Sequence, residues 1–190
     1  MTKYIKSDNY QEYVQLQTSQ NKRKLGAVWI NDEEITQISQ YIKELGLKIN
    51  FGICHGARNG YEVRKFRESL NSDNIIGTDI SETAATIPNM IVHDFHDTKP
   101  EWIDATDFIY TNSIDHCYDF NKALDSWMQC LTKNGRCFIS WAEENAKPFN
   151  KIDCFGIGLE ELQNTISQKY SIEKIIHVAY RKIIVIKRRE

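Results

Sequence analysis

Apolar positions recur every three to four residues between Asn31 and Gly46, where Ile35, Ile38, Ile42 and Leu45 fall on one helical face. Asn31 is placed to cap that helix, Asp32, Glu33 and Glu34 suit the positive end of its dipole, and Gly46 stops it. Residues 8–24 are polar and aromatic with a weak helical period, so a further helix is expected there. From residue 47 the texture changes to short apolar runs separated by amphipathic ones. The runs Leu47–Ile53, Asn74–Ile80, Met90–Val92, Asp107–Asn112 and Arg136–Trp141 read as buried strands. Residues 61–70, 121–131 and 159–169 read as the helices between them, and Asn134-Gly135 as a turn. Alternation at this spacing predicts βαβ units and a parallel sheet. The tail differs: Ser171–Val178 and Arg181–Arg188 are separated by only Ala179-Tyr180, which permits nothing but an antiparallel hairpin.

Composition narrows the class. The chain has 190 residues, 41% hydrophobic and 26% charged, enough apolar surface for a core. Its 24 basic and 26 acidic residues give a net charge of −2, which argues against a nucleic-acid partner needing a basic face. No apolar run is long enough for a membrane span, and the polar start does not resemble a signal peptide, so neither a membrane nor a secreted setting is expected. Five cysteines, an odd count without a CxxC pair, fit a cytoplasmic protein. The pairs His93/His96 and His116/Cys117 lack regular ligand spacing, and no metal is expected. The sequence carries no signal for an oligomeric state.

Candidate chemistry gathers at the predicted strand ends, where open α/β sheets bind ligands. After the first strand comes Cys54-His55-Gly56-Ala57-Arg58-Asn59-Gly60, in which Gly56 and Gly60 permit a tight turn and close approach of a ligand to the next helix. The second strand ends at Asp79-Ile80. Asp79 stands 23 residues after Gly56, where a nucleoside-binding sheet places an acid for the ribose hydroxyls. The third is followed by Asp94-Phe95, an acid suited to an adenine amino group and a ring to pack on the base. The fourth ends at Asn112, and Asn112-Ser113-Ile114-Asp115-His116 follows.

These pieces together resemble the class I S-adenosylmethionine-dependent methyltransferases: HGARNG, GTDIS, HDF, DFIYTNSIDH, LTKNGRCFIS and the terminal hairpin. The resemblance implies a three-layer, Rossmann-like α/β sheet, mostly parallel with an antiparallel C-terminal hairpin. It implies residues 1–46 as a helical cap and residues 47–190 as the cofactor-binding domain. It also implies S-adenosylmethionine as cofactor, held by His55, Gly56, Arg58, Gly60, Asp79, Ile80, Asp94, Phe95 and Asn112. The acceptor would be a small molecule methylated on O or N. His116 would be the catalytic base or a wall over the donor, with Asp115 orienting it or a substrate hydroxyl.

Two positions depart from the family pattern. Cys54 stands where the first strand usually ends in an acid, and Arg58 where the loop usually has a central glycine. A side chain at 58 opposes a dinucleotide, whose pyrophosphate needs bare backbone there. Arg58 could instead pair with the methionyl carboxylate, or point to solvent. The segment TNSI also lacks the proline-aromatic arrangement of amino-methylating DNA enzymes. Two alternatives remain at this stage: a non-catalytic protein that binds S-adenosylmethionine or S-adenosylhomocysteine, and a nucleotide-dependent oxidoreductase. Glu143, Glu144, Asp153 and Phe155 in the long loop 142–158, with Tyr10 and Tyr13, are candidates for acceptor recognition.

Overall fold

A computed structural model describes residues 2–189. Chain order is β1 (Lys3–Tyr4), α1 (Tyr10–Arg23), α2 (Asp32–Glu44), β2 (Gly52–His55), α3 (Tyr61–Leu70), β3 (Ile75–Asp79), β4 (Met90–Val92) and β5 (Thr106–Thr111). There follow α4 (Phe120–Cys130), β6 (Leu131–Ala142), β7 (Phe155–Gly156), α5 (Leu159–Lys169), β8 (Ser171–Val178) and β9 (Arg181–Lys187). Seven strands form one sheet in the order β4-β3-β2-β5-β6-β9-β8. The first five are parallel, and β9 runs antiparallel to both β6 and β8. This is the mostly parallel sheet with a terminal hairpin that the sequence predicts.

Alternation of side chains along the strands divides the core in two. On one face Cys54, Phe108, Tyr110 and Val185 meet Ile35, Ile38 and Ile42 of α2 and Val63 and Phe66 of α3. On the other, Ile53, Ile109, Ile139 and Ile184 meet Trp127 of α4 and Ile166 of α5. The sheet is thus the middle of three layers. The caps read from the sequence are in place: the Asn31 side chain accepts from Glu34 N–H at 2.7 Å, and Gly46 takes a left-handed φ of 63° after α2. Of residues 1–46, α2 shares its core with the sheet, whereas α1 crosses the carboxyl ends of the strands.

Several boundaries differ from expectation. The first parallel strand begins at Gly52, not Leu47, because the Asp107 carboxylate takes the N–H groups of Asn50 (2.8 Å) and Phe51 (3.3 Å) in place of a neighbouring strand. Strand β6 starts directly after α4, and the predicted Asn134-Gly135 turn is absorbed inside it. Its register against β5 jumps from Thr106↔Leu131 to Phe108↔Arg136. The two-residue strands β1 and β7 pair antiparallel and are too short for any sequence period. All five cysteines are buried and unpaired. No helix among the described residues is long and apolar enough to cross a membrane.

Candidate functional site

Strand order reverses between β2 and β5, so the chain after β2 leaves one way and the chain after β5 the other, opening a crevice between them. Gly56 opens the loop after β2 with φ 71°, and a Cβ there would lie 2.6 Å from Ser113 Oγ. Only glycine lets the two loops approach so closely. Arg58 is also left-handed (φ 39°), and Gly60 (φ 69°) precedes α3 as its N-cap.

Asp79 closes β3 and ties the loop down: its Oδ2 accepts from Arg58 N–H and its Oδ1 from Ser81 N–H, each at 3.0 Å. Burial raises its pKa against those hydrogen bonds. Asp79, Ile80, Asp94 and Phe95 line a small cavity of about 50 Å³ together with Gly56 and Arg58. Helix α1 roofs it, where Tyr13, Gln17 and Asn21 form the inner surface. The Tyr10 hydroxyl donates to Asp94 Oδ2, Tyr13 Oη to the His116 carbonyl (3.0 Å) and Gln17 Nε2 to the Ile152 carbonyl (2.7 Å).

Asp94 is further held by His96, whose backbone N–H (2.9 Å) and Nδ1–H (2.6 Å) both donate to Oδ1. His96 Nε2 accepts from Tyr118 and Asp119 N–H, which fixes the tautomer. Burial pushes the Asp94 carboxyl up, but the hydrogen bonds from His96 and Tyr10 outweigh it and hold it at about 2.

The two cavities share Lys24, Gly56, Arg58, Ser113 and His116, and the second holds about 750 Å³. Asn112, Asp115, Glu143, Glu144 and Asp153 line it, and Trp29 and Phe149 stand exposed at its rim. His116 Nδ1 lies 3.1 Å from the Ile152 carbonyl and 3.6 Å from Asp153 Oδ1. A proton on Nδ1 serves that carbonyl, leaving Nε2 as the acceptor atom, 4.0 Å from Asp115 Oδ1. Asp115, His116 and Asp153 each bring one metal-type ligand atom within 4.8 Å of the others, a grouping the sequence spacing did not suggest.

Gly60 lines neither cavity and packs toward Ile87 and Met90, and two expected side chains lie elsewhere. The His55 ring belongs to the strand, not the loop, and faces the core: it stacks on Trp127 (5.9 Å, 22°), and its Nδ1 lies 2.8 Å from Thr78 Oγ1. Burial pushes its pKa down to about 3, so the ring is neutral, and it lines neither cavity. Phe155 is likewise buried, stacked on Phe120 at 5.1 Å. Strand alternation explains His55, since Cys54 and His55 must face opposite sides.

Other lining residues gave no sequence signal. Arg181, at the start of β9, is buried at the floor of the large cavity. Its Nη1 donates to Ser140 Oγ (3.3 Å), and its Nε lies 3.9 Å from Glu34 Oε2. Glu34 accepts from the Tyr110 hydroxyl at 2.7 Å. Glu62, in the first turn of α3, is buried and lines the same cavity.

No family model matches the chain, and no curated protein matches it in sequence. Solved structures do. The chain is similar to 1,6-didemethyltoxoflavin-N1-methyltransferase of Burkholderia thailandensis, solved with 1,6-didemethyltoxoflavin and S-adenosylhomocysteine. That match has a TM-score of 0.75 at 13% identity and covers 98% of this chain and 94% of that one. A SAM-dependent methyltransferase from Aquifex aeolicus matches at TM-score 0.57 and 14% identity, over 83% and 98% of the two chains. An O-methyltransferase of neocarzinostatin biosynthesis, solved with S-adenosylmethionine and 2-hydroxy-5-methyl naphthoic acid, matches at TM-score 0.59 and 13% identity, over 82% and 56% of the two chains. The fold of this chain is that of the class I S-adenosylmethionine-dependent methyltransferases.

Proposed function

We propose that the protein is an S-adenosylmethionine-dependent methyltransferase acting on O or N of a small molecule. The observation that carries this reading is Asp79. It is a buried acid at the β3 end, bonded to the backbone of the Gly56–Gly60 loop and facing a cavity continuous with a second, larger one. The residues fit the cofactor. Asp79 is disposed toward ribose hydroxyls, Asp94 and Phe95 toward the adenine edge and face, and Arg58 toward the methionyl carboxylate. Gly56 and Gly60 give the close approach, with Ile80 and Asn112 flanking. Arg58 disfavours a pyrophosphate at the same place, which speaks against the oxidoreductase reading.

The cofactor supplies an electrophilic methyl group on a sulfonium. The protein's share is to align an acceptor in the larger cavity, exclude water and, for a hydroxyl or ammonium acceptor, take a proton at His116 Nε2. Both solved neighbours with bound acceptors carry compact aromatic molecules. A cavity of about 750 Å³ suits such a molecule. The carboxylates Asp115, Asp153, Glu143 and Glu144 around it oppose a polyanion and favour a polar, amine- or hydroxyl-bearing acceptor.

Calorimetry tests the cofactor assignment. Asp79→Ala is expected to weaken S-adenosylmethionine by about 10- to 100-fold, or ~1.5–3 kcal/mol, by removing its hydrogen bonds and loosening the loop. NAD is expected not to bind. Tight NAD binding, or an unchanged affinity in Asp79→Ala, would overturn the assignment. Release of S-adenosylhomocysteine across a panel of acceptors then separates an enzyme from a protein that only binds the cofactor.

A further inference from the structure

The large cavity has a cation in its floor that the cofactor reading does not use. Arg181, the first residue of β9, lines the cavity yet is only 7% exposed. One edge of its guanidinium rests on residues outside the lining: Nη1 donates to Ser140 Oγ at 3.3 Å, and Nε lies 3.9 Å from Glu34 Oε2. Tyr110 holds Glu34 in place by donating to its Oε1 at 2.7 Å, and the Tyr180 ring covers the guanidinium at 5.3 Å. The other end, Nη2, lies beside Glu144, a residue of the lining, but 3.6 Å from its Oε1. Both ion-pair distances are longer than a hydrogen bond, and Nε and Glu34 Oε2 are sealed from water without a hydrogen-bond partner. A guanidinium has five N–H donors, so this one is paired in charge but short of acceptors. A buried donor left short in a cavity wall marks a place where a ligand supplies the partner.

Charge decides what that partner is. Glu34 and Glu144 already flank the single positive charge, so a carboxylate on the ligand would add a third negative group. An ammonium would leave the N–H donors as they are. A neutral carbonyl oxygen accepts from them without changing the charge of the site. We propose that Arg181 recognises the methyl acceptor through such an oxygen, with Nη2 donating to the carbonyl of a ring ketone, lactam or amide. The proposal rests on the acceptor-cavity reading above and deepens it: the polar acceptor also carries a neutral carbonyl group. The Glu144 side chain is 68% exposed, so its hold on Nη2 is weak and yields to the ligand.

The test uses rings of one shape: quinoline and its 4-oxo, 4-carboxylate and 4-amino derivatives, the last a cation at neutral pH. Each is titrated by calorimetry into the full chain, with and without saturating S-adenosylhomocysteine. The 4-oxo ring is expected to bind about tenfold more tightly than quinoline, and more tightly than either charged ring. Arg181→Met is expected to bring the 4-oxo ring down to the affinity of quinoline and to leave quinoline unchanged. That variant strips Glu34 of its charge partner. The double variant Arg181→Met/Glu34→Gln, which removes both buried charges, is therefore measured beside it with the same expectation. A 4-oxo ring that binds no better than quinoline, undetectable binding of both included, would overturn the proposal. So would a preference for the carboxylate or amino ring, or a 4-oxo preference that survives the loss of Arg181. If the unaltered protein fails to bind S-adenosylhomocysteine, the cofactor reading falls, while the ranking of the rings measured without it still decides the role of Arg181.

Discussion

Replacing His116 by glutamine is expected to lower kcat/KM by about 10²–10⁴-fold while leaving cofactor affinity little changed. The ring is held on two sides: its backbone carbonyl accepts from Tyr13 Oη, and its Nδ1 faces the Ile152 carbonyl. That arrangement aims Nε2 away from both bonds as the available acceptor, with Asp115 beside it. Glutamine preserves bulk and polarity but cannot accept a proton at neutral pH. The acid limb of the kcat/KM profile should therefore disappear with the residue. His116→Ala should lose at least as much activity. A loss below about tenfold in glutamine, with the acid limb intact, would show the ring to be a wall over the donor. The proposed ribose and adenine contacts lie at the end of β3 and after β4, so cofactor titration serves as the control for misfolding.

The second large effect is on stability. Trp127→Ala should destabilise the fold by about 3–5 kcal/mol, the usual cost of deleting a buried tryptophan with incomplete collapse. The indole is fully buried; it stacks on His55, meets Phe95 and Phe120 edge-on at 5.7 and 6.4 Å, and donates to the Phe95 carbonyl at 3.0 Å. Removing it opens a void and orphans a buried carbonyl at once. For a chain of this size the loss corresponds to a fall in Tm of roughly 6–20 °C. Phe95 also lines the small cavity, so affinity for S-adenosylhomocysteine should fall alongside stability. Trp127→Phe should recover most of the packing but not the hydrogen bond. Denaturant titration showing less than about 1 kcal/mol for the alanine variant would refute this account of the core.

How much of this was readable beforehand depends on whether a residue's role is local. Asn31 and Gly46 bound their helix as read, residues 61–70 are helical to the residue, and the Ala179-Tyr180 link makes the expected hairpin. Caps, periods and two-residue turns are properties of a few neighbouring residues. The false start of the first strand at Leu47 has a distant cause, the Asp107 carboxylate 57 residues from Asn50. Asp79 and Gly56 were legible because a strand end and a tight turn leave fixed marks. His55 was misplaced because the strand runs two residues past its expected end at Ile53 and carries the ring into the core. Glu62 and Arg181 look like ordinary surface charges in the sequence. Their burial depends on α2 and the hairpin closing over them, contacts that no local pattern encodes.

Helix α1 sets a kinetic condition on any catalytic cycle. It is fastened across the small cavity by the Tyr10–Asp94, Tyr13–His116 and Gln17–Ile152 hydrogen bonds and by Asn21 Oδ1 accepting from Thr83 Oγ1. The space beneath it, about 50 Å³, is far below the several hundred that an adenosyl ligand occupies. With the cofactor seated as proposed, binding is expected to wait for the helix to lift. The observed association rate should level off with ligand concentration at the opening rate, instead of climbing linearly toward the collision limit. On the same reading, departure of the spent cofactor is expected to need that movement too, so that turnover would depend on a latch remote from the transferred methyl group.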